Sequence, residues 1–277
     1  MKKTLYVSDL DGTLLRRDQT VSPFTAETIR AQVGEGMLFS YATARSLVTA
    51  GKVTKGLSVN IPVIAYNGAF VVESETGKRL LSHIFCKEES ARILDTCLAC
   101  DVMPIVFSLA DGKEQFRYLA GKESRGARRF LNTRKGDVRE HPVSRKETLY
   151  EGEIFHITCI DEKEKLAPLY EQFRTEFPCV FERDFYGGEQ WLELHPRGAT
   201  KAEAVLHLKE YLGCERVVCF GDGKNDIPMF KVADEAYAMA NADAELKRFA
   251  TGVIGHHEED GVAKWLFSNV TKKDKIF

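Results

Sequence analysis

The 277-residue sequence predicts an α/β protein in which a doubly wound, parallel-sheet domain is interrupted by a smaller α+β domain. Three observations predict it. Short continuous apolar runs alternate with helix-like stretches up to residue 83, as in strands buried on both faces of a parallel sheet. The same alternation resumes beyond residue 189. Between 84 and 188 charge is denser, apolar runs are shorter, and hairpin signals such as Asp111-Gly112 appear.

Taken in order, "TLYVSD" reads as the first strand. "SPFTAETIRAQVGEG" reads as a helix, with Ser22 at the N-cap, Pro23 at the first helical position and Gly34 near the stop. "MLFSYAT" is a second strand, residues 45–55 a helix, and "IPVIAY" a third strand closed by Asn67-Gly68. The interrupting segment, expected to hold two helices and several strands, includes "ARILDTCLAC", "MPIVFSL", "QFRYLA" and "EIFHITCI". Gly187-Gly188 is the expected hinge back. Then follow a helix in "ATKAEAVLHLKEYLG", a strand in "RVVCFGD", a short helix in "DIPMFKVA", a strand in "EAYAMA", and helices in "ADAELKRFA" and "GVAKWLFSNV". "KKDK" near the end reads as a solvated tail.

Composition narrows the function. A net charge of −2 gives no electrostatic case for nucleic acid or an anionic membrane. No apolar run reaches membrane-span length, and Ser8 and Asp9 break the N-terminal run too early for a signal peptide, so a cytoplasmic location is expected. Seven cysteines at scattered spacing argue against a disulfide framework. Cys97 and Cys100 form a lone C-x-x-C on a helix pattern and read as buried thiols. The histidines make no ligand spacing, and His256-His257 reads as a solvated loop pair. No obligate protein partner is evident.

The chemistry starts at "DLDGT". On a strand Asp9 and Asp11 would point the same way, and two close carboxylates repel. Gly12-Thr13 follow, so backbone N–H groups can face an anion. A second apolar strand also ends on acid, where "GDGKND" supplies Asp222 and Asp226. In an open α/β sheet both clusters fall at the carboxyl edge where ligands bind. Thr43 and Lys201 fall at the ends of other core elements. Four carboxylates in one crevice call for a cation; an all-oxygen set favours Mg²⁺, which also binds a substrate phosphate. Lys201, Thr43 and backbone donors would offset the phosphate's charge. One carboxylate can then attack phosphorus while its neighbour handles the proton.

These motifs, in this order on both sides of the insert, resemble the haloacid-dehalogenase superfamily of phosphatases, Cof-type (subclass IIB) branch. The match lies in "DLDGT", "ATAR", "RGATKAEAV" and "GDGKND", with "AYNGA" and "EEDGVAKWL" also similar. Ala44 and Ala202 stand where relatives commonly have Gly. The resemblance implies a Rossmann-like core over 1–83 and 189–277 and an inserted α/β cap domain over 84–188 that selects substrate. It implies Asp9 as nucleophile and Mg²⁺ ligand, Asp11 as general acid/base binding metal through its carbonyl, and Asp222 as the third ligand. Asp226, Gly12 and Thr13 would support them. Thr43, the Ala44 N–H, Lys201 and Asn225 would hold the phosphoryl oxygens.

The expected activity is Mg²⁺-dependent hydrolysis of a small phosphorylated metabolite, a sugar phosphate being plausible, through an aspartyl-phosphate. A sugar-phosphate mutase is the alternative, for which Arg125, Arg128, Arg129 and Arg134 could hold a second phosphate, although their spacing equally suits an exposed basic face. A phosphate-binding regulator without turnover is the third reading, and the paired Asp9 and Asp11 argue against it. Asp184, Tyr186 and Glu189 are candidate substrate contacts, or a hinge and surface turn.

Overall fold

The structure, a computed structural model, describes residues 3–183 and 188–270. The chain divides into two compact units, Met1–Ser82 with Ala199–Phe277, and His83–Gly198.

The first unit opens with β1 (Thr4–Ser8), α1 (Pro23–Gly34), β2 (Leu38–Tyr41) and α2 (Leu47–Val53), following the expected alternation. Every residue of β1 is buried, so neither face of the strand meets solvent. Ser22 and Ser46 start the two helices, their hydroxyls accepting from Thr25 N–H and Thr49 N–H. "IPVIAY" departs from the parallel pattern. β3 (Val63–Ala65) pairs antiparallel with β4 (Phe70–Val72), and β4 with β5 (Arg79–Ser82). A tight turn at Asn67-Gly68 sends the chain straight back, whereas a parallel neighbour needs a long crossover. An isolated Ala42–Ile64 bridge joins this small sheet to the parallel one.

The second unit contains α3 (Lys87–Ala99), β6 (Ile105–Ala110), β7 (Lys113–Leu119), α4 (Arg125–Asn132) and β8 (Glu140–Val143). It continues with β9 (Glu153–Asp161), α5 (Lys163–Phe173), β10 (Cys179–Arg183) and β11 (Gln190–Leu194). Its sheet runs β10-β11-β9-β6-β7-β8, antiparallel except at β7–β8. Asp111 and Gly112, both at positive φ, make the β6–β7 turn. Ile93 and Leu94 of α3 share a buried cluster with Leu166, Leu169 and Phe173 of α5 and with Ile157 of β9. Among the described residues, three α-helices stand where two were expected; α4 is hidden in the sequence by its arginines and is capped by Ser124. Cys97 is buried and Cys100 exposed, so the C-x-x-C is not a matched buried pair; the Cys97 thiol lies 3.8 Å from that of Cys159.

Both boundaries shift from expectation. The return crossing lies at Gly198–Ala199, and not at Gly187-Gly188, because β11 pairs with β9 and β10 and keeps residues 189–198 in this unit. His83 also falls here. Gly187, Asp184, Tyr186 and the "KKDK" tail lie outside the described residues.

The first unit is completed by α6 (Lys201–Tyr211), β12 (Arg216–Gly221), α7 (Ile227–Val232), β13 (Glu235–Met239), α8 (Ala244–Lys247), β14 (Gly252–Ile254) and α9 (Gly261–Asn269). Its sheet order is β14-β13-β12-β1-β2, parallel throughout. β1 lies between β12 and β2, so Asp9, Asp222 and Thr43 all leave the same carboxyl edge. Among the described residues, no helix is long and apolar enough to cross a membrane.

Candidate active site

β1 ends at Ser8, and Asp9 is held in extended backbone by its N–H donating to Phe220 O. Residues Leu10–Leu14 then coil tightly around Gly12, whose φ is +74°. Only glycine fits there: a side-chain carbon on residue 12 would lie 2.2 Å from Asp222 Oδ2. The coil also overturns the expected pairing of the two aspartates on one strand face. Asp9 is buried, whereas the Asp11 carboxylate is half exposed. Arg45 grips it at both oxygens, at 2.7 and 2.5 Å, and also donates to Gln19.

Lys201, the first residue of α6, is 1% exposed. Its ammonium lies 2.6 Å from Asp9 Oδ1 and 2.6 Å from Asp226 Oδ1. Two carboxylates flanking it hold its pKa above the ordinary lysine value despite the burial that opposes charge. Asp226, fully buried, uses its other oxygen to accept the N–H groups of Asp222 and Gly223. The Asp222 carboxylate accepts from Thr13 Oγ1 at 3.1 Å. Burial first, then the charge of Asp226, pushes Asp222 up to about 7. Asp9 is also pushed well up by burial; Lys201 opposes this, while Asp226, Asp222 and Asp11 reinforce it. The pocket as built thus disfavours its own negative charge.

An added cation would relieve that. Oxygens of Asp9, Asp222 and Asp226 lie within 4.8 Å of one another. Asp226 is already engaged by Lys201 and two backbone N–H groups, which leaves Asp9 and Asp222 as available carboxylates. The donor set is all oxygen and suits Mg²⁺.

Thr43 is fully buried after β2, its hydroxyl accepting from Arg45 N–H; Ala44 is exposed. Asn225 sits in the turn before α7 and donates to Asn67 Oδ1 at 3.1 Å, while Asn67 N–H donates to Thr43 O. Thr43 and Asn225 are thereby linked through Asn67. Asp9, Lys201, Asp226, Asp222 and Thr13 form one hydrogen-bonded chain. Glu189 lies in the second unit and pairs with Arg129 at 3.3 Å. Arg134 stacks on Phe130, and Arg128 lies 3.9 Å from Glu123.

Sequence reasoning gave no role to Arg45, Asn67 or Asn241. Arg45 belongs to "ATAR" and Asn67 to "AYNGA", and an Asn-Gly pair is itself a signal for a left-handed turn. Asn241, which donates to Gly12 O, had only its place just after a strand.

The chain is 27% identical over 278 residues to the 5-amino-6-(5-phospho-D-ribitylamino)uracil phosphatase YwtE of Bacillus subtilis, covering 93% of this chain and 95% of that protein. It is 27% identical over 265 residues to the HMP-PP phosphatase of Serratia proteamaculans, covering 93% and 92%. A crystal structure from Thermotoga maritima shares the fold, with a TM-score of 0.78 at 24% identity and 98% of each chain covered. The profile of the haloacid dehalogenase-like hydrolases matches residues 6–266, and the chain belongs to that family.

Proposed function

We propose that the chain is a Mg²⁺-dependent phosphomonoesterase that works through an aspartyl-phosphate on Asp9. The observation that carries this reading is the buried Lys201 ammonium bound to one oxygen of Asp9 beside the carboxylate of Asp222. Asp9, Asp222 and the Asp11 carbonyl would hold Mg²⁺, which supplies positive charge against the phosphoryl group when bound. The free oxygen of Asp9 attacks phosphorus and the ester P–O bond breaks. Asp11, once its carboxyl leaves the pair with Arg45, gives the leaving oxygen its proton, then takes one from the water that attacks the acyl-phosphate and releases phosphate. Lys201, Thr43, the Ala44 N–H and Asn225 stabilise the phosphoryl oxygens. Asp226 keeps Lys201 charged and aimed.

The substrate is a small phosphorylated metabolite, a class supported by the names of the two relatives. Arg128, Arg129 and Arg134 contact Glu123, Glu189 and Phe130 within the second unit, as an exposed basic face would; a sugar-phosphate mutase, which needs a second phosphate site, is the alternative reading. Seven cysteines without a disulfide accord with a cytoplasmic setting. The test is phosphate release from a panel of sugar phosphates, nucleotides and an aryl phosphate, with Mg²⁺, with chelator, and with Asp9→Asn. Metal-dependent release that Asp9→Asn abolishes is expected. No release by a folded, Mg²⁺-binding protein would overturn hydrolysis.

A further inference from the structure

Three loops of the first unit meet at one side chain that the reaction above does not use. Asn241 follows β13, and its amide nitrogen donates to Gly12 O at 2.8 Å and to Asp222 Oδ2 at 3.4 Å. Its amide oxygen accepts from His257 N–H at 3.2 Å. These partners fix which end of the amide faces which way. A backbone N–H can only donate and a backbone carbonyl can only accept, so the NH₂ group must face Gly12 and Asp222.

The His257 end is anchored in turn. The His257 ring bonds Leu15 O through Nδ1, Glu258 accepts from Arg17 N–H, and Asp260 pairs with Arg16 and Thr25. The loop that holds Asn241 is therefore tied to the chain leaving the nucleophile turn. The turn carrying Asn241 also reaches Asp222 a second time, through Asp243 N–H to Asp222 O at 2.9 Å.

Asp222 is consequently held on both carboxylate oxygens, Oδ1 by Thr13 and Oδ2 by Asn241. One donor on each oxygen leaves lone pairs for a cation while setting the angle of the carboxylate plane. The bond to Gly12 O pins the left-handed turn against which that carboxylate packs.

We propose that Asn241 is a positioning residue for the metal site: its amide sets the orientation of Asp222 relative to the Gly12 turn and thereby tunes Mg²⁺ affinity. The inference rests on the Mg²⁺ site proposed above.

Asn241→Ala and Asn241→Leu test it. Both remove the donor, but Leu keeps most of the side-chain volume, so it separates hydrogen bonding from simple filling. Mg²⁺ binding is measured by titration calorimetry on the full chain, with circular dichroism confirming that each variant is folded. Loss of such a support is expected to weaken Mg²⁺ binding about 10- to 100-fold in both variants. The Mg²⁺ concentration for half-maximal rate should rise by more than kcat falls. Wild-type affinity in Asn241→Leu, or a fall in kcat with no change in Mg²⁺ dependence, overturns the positioning role while leaving the phosphatase reading intact. A wild-type chain that binds no Mg²⁺ overturns both.

Discussion

The second unit buries His156 beside His195, and keeping the His156 ring neutral has a measurable cost in acid. His156 on β9 is 4% exposed and His195 is 2% exposed, with their Nδ1 atoms 3.3 Å apart. Thr158 Oγ1 lies 2.6 Å from His156 Nε2, Glu193 lies 3.8 Å away, and the Phe107 ring packs edge-on at 5.0 Å. Burial, then the neighbouring His195, depresses His156 to about 3, against the attraction of Glu193. In the unfolded chain the ring takes up a proton near 6.5, so between these values the unfolded state binds more protons. Stability from this group is fully present above about pH 6.5 and is lost progressively as pH falls towards 3. Proton linkage gives a loss of about 2 kcal/mol between pH 8 and pH 5.

The assay is urea unfolding followed by Trp191 fluorescence in a Trp265→Phe background, since these are the two tryptophans and Trp191 lies in the second unit. A shift of about 1 M in midpoint is expected between the two pH values. His156→Gln should be less stable at pH 8 yet lose about 2 kcal/mol less on going to pH 5. Equal losses in wild type and His156→Gln would refute the assignment.

Two further outcomes follow from the catalytic unit. Lys201→Met leaves Asp9 and Asp226 facing each other without their shared cation, so kcat should fall about 10²- to 10³-fold and urea stability by about 3–5 kcal/mol. Unchanged kcat in steady-state assays would remove Lys201 from the reaction. Gly68 has φ +102°, and a side-chain carbon there would lie 2.2 Å from Thr200 O, the residue before Lys201. Gly68→Ala should cost at least about 2 kcal/mol and also lower kcat by displacing Lys201; full stability in urea would contradict that packing.

What could be read from the sequence was what repeats a local rule. Asp9, Thr43 and Asp222 each follow a short apolar run, and Lys201 opens a helix, so one assumption about the parallel sheet brought all four to one edge. The coil after Ser8 was missed because an extended Asp9–Asp11 pair and a left-handed turn at Gly12 share the same residues; packing against Asp222 decides between them. β11 falls in the second unit, against the boundary the sequence suggests, for a related reason. "QWLEL" alternates buried and half-buried positions and would serve either sheet, and only its pairing with Cys179–Arg183 and β9 places it. Arg45, Asn67 and Asn241 act across long sequence separations, where a lone polar residue has no local signature.

The strand pairing has a consequence for the order in which the chain can be made. β1 is buried throughout and sits between β2 and β12, with Thr4 opposite Arg216. The second unit, by contrast, is a continuous stretch from His83 to Gly198. A ribosome adding residues at ordinary rates needs about 10 to 40 s to travel from β1 to the end of β12. Throughout that interval a strand destined for complete burial lacks one neighbour, while the inserted unit can already be complete. The nascent chain can therefore assemble its middle before its beginning, and Asp9 meets Lys201 and Asp222 only once synthesis has passed residue 222.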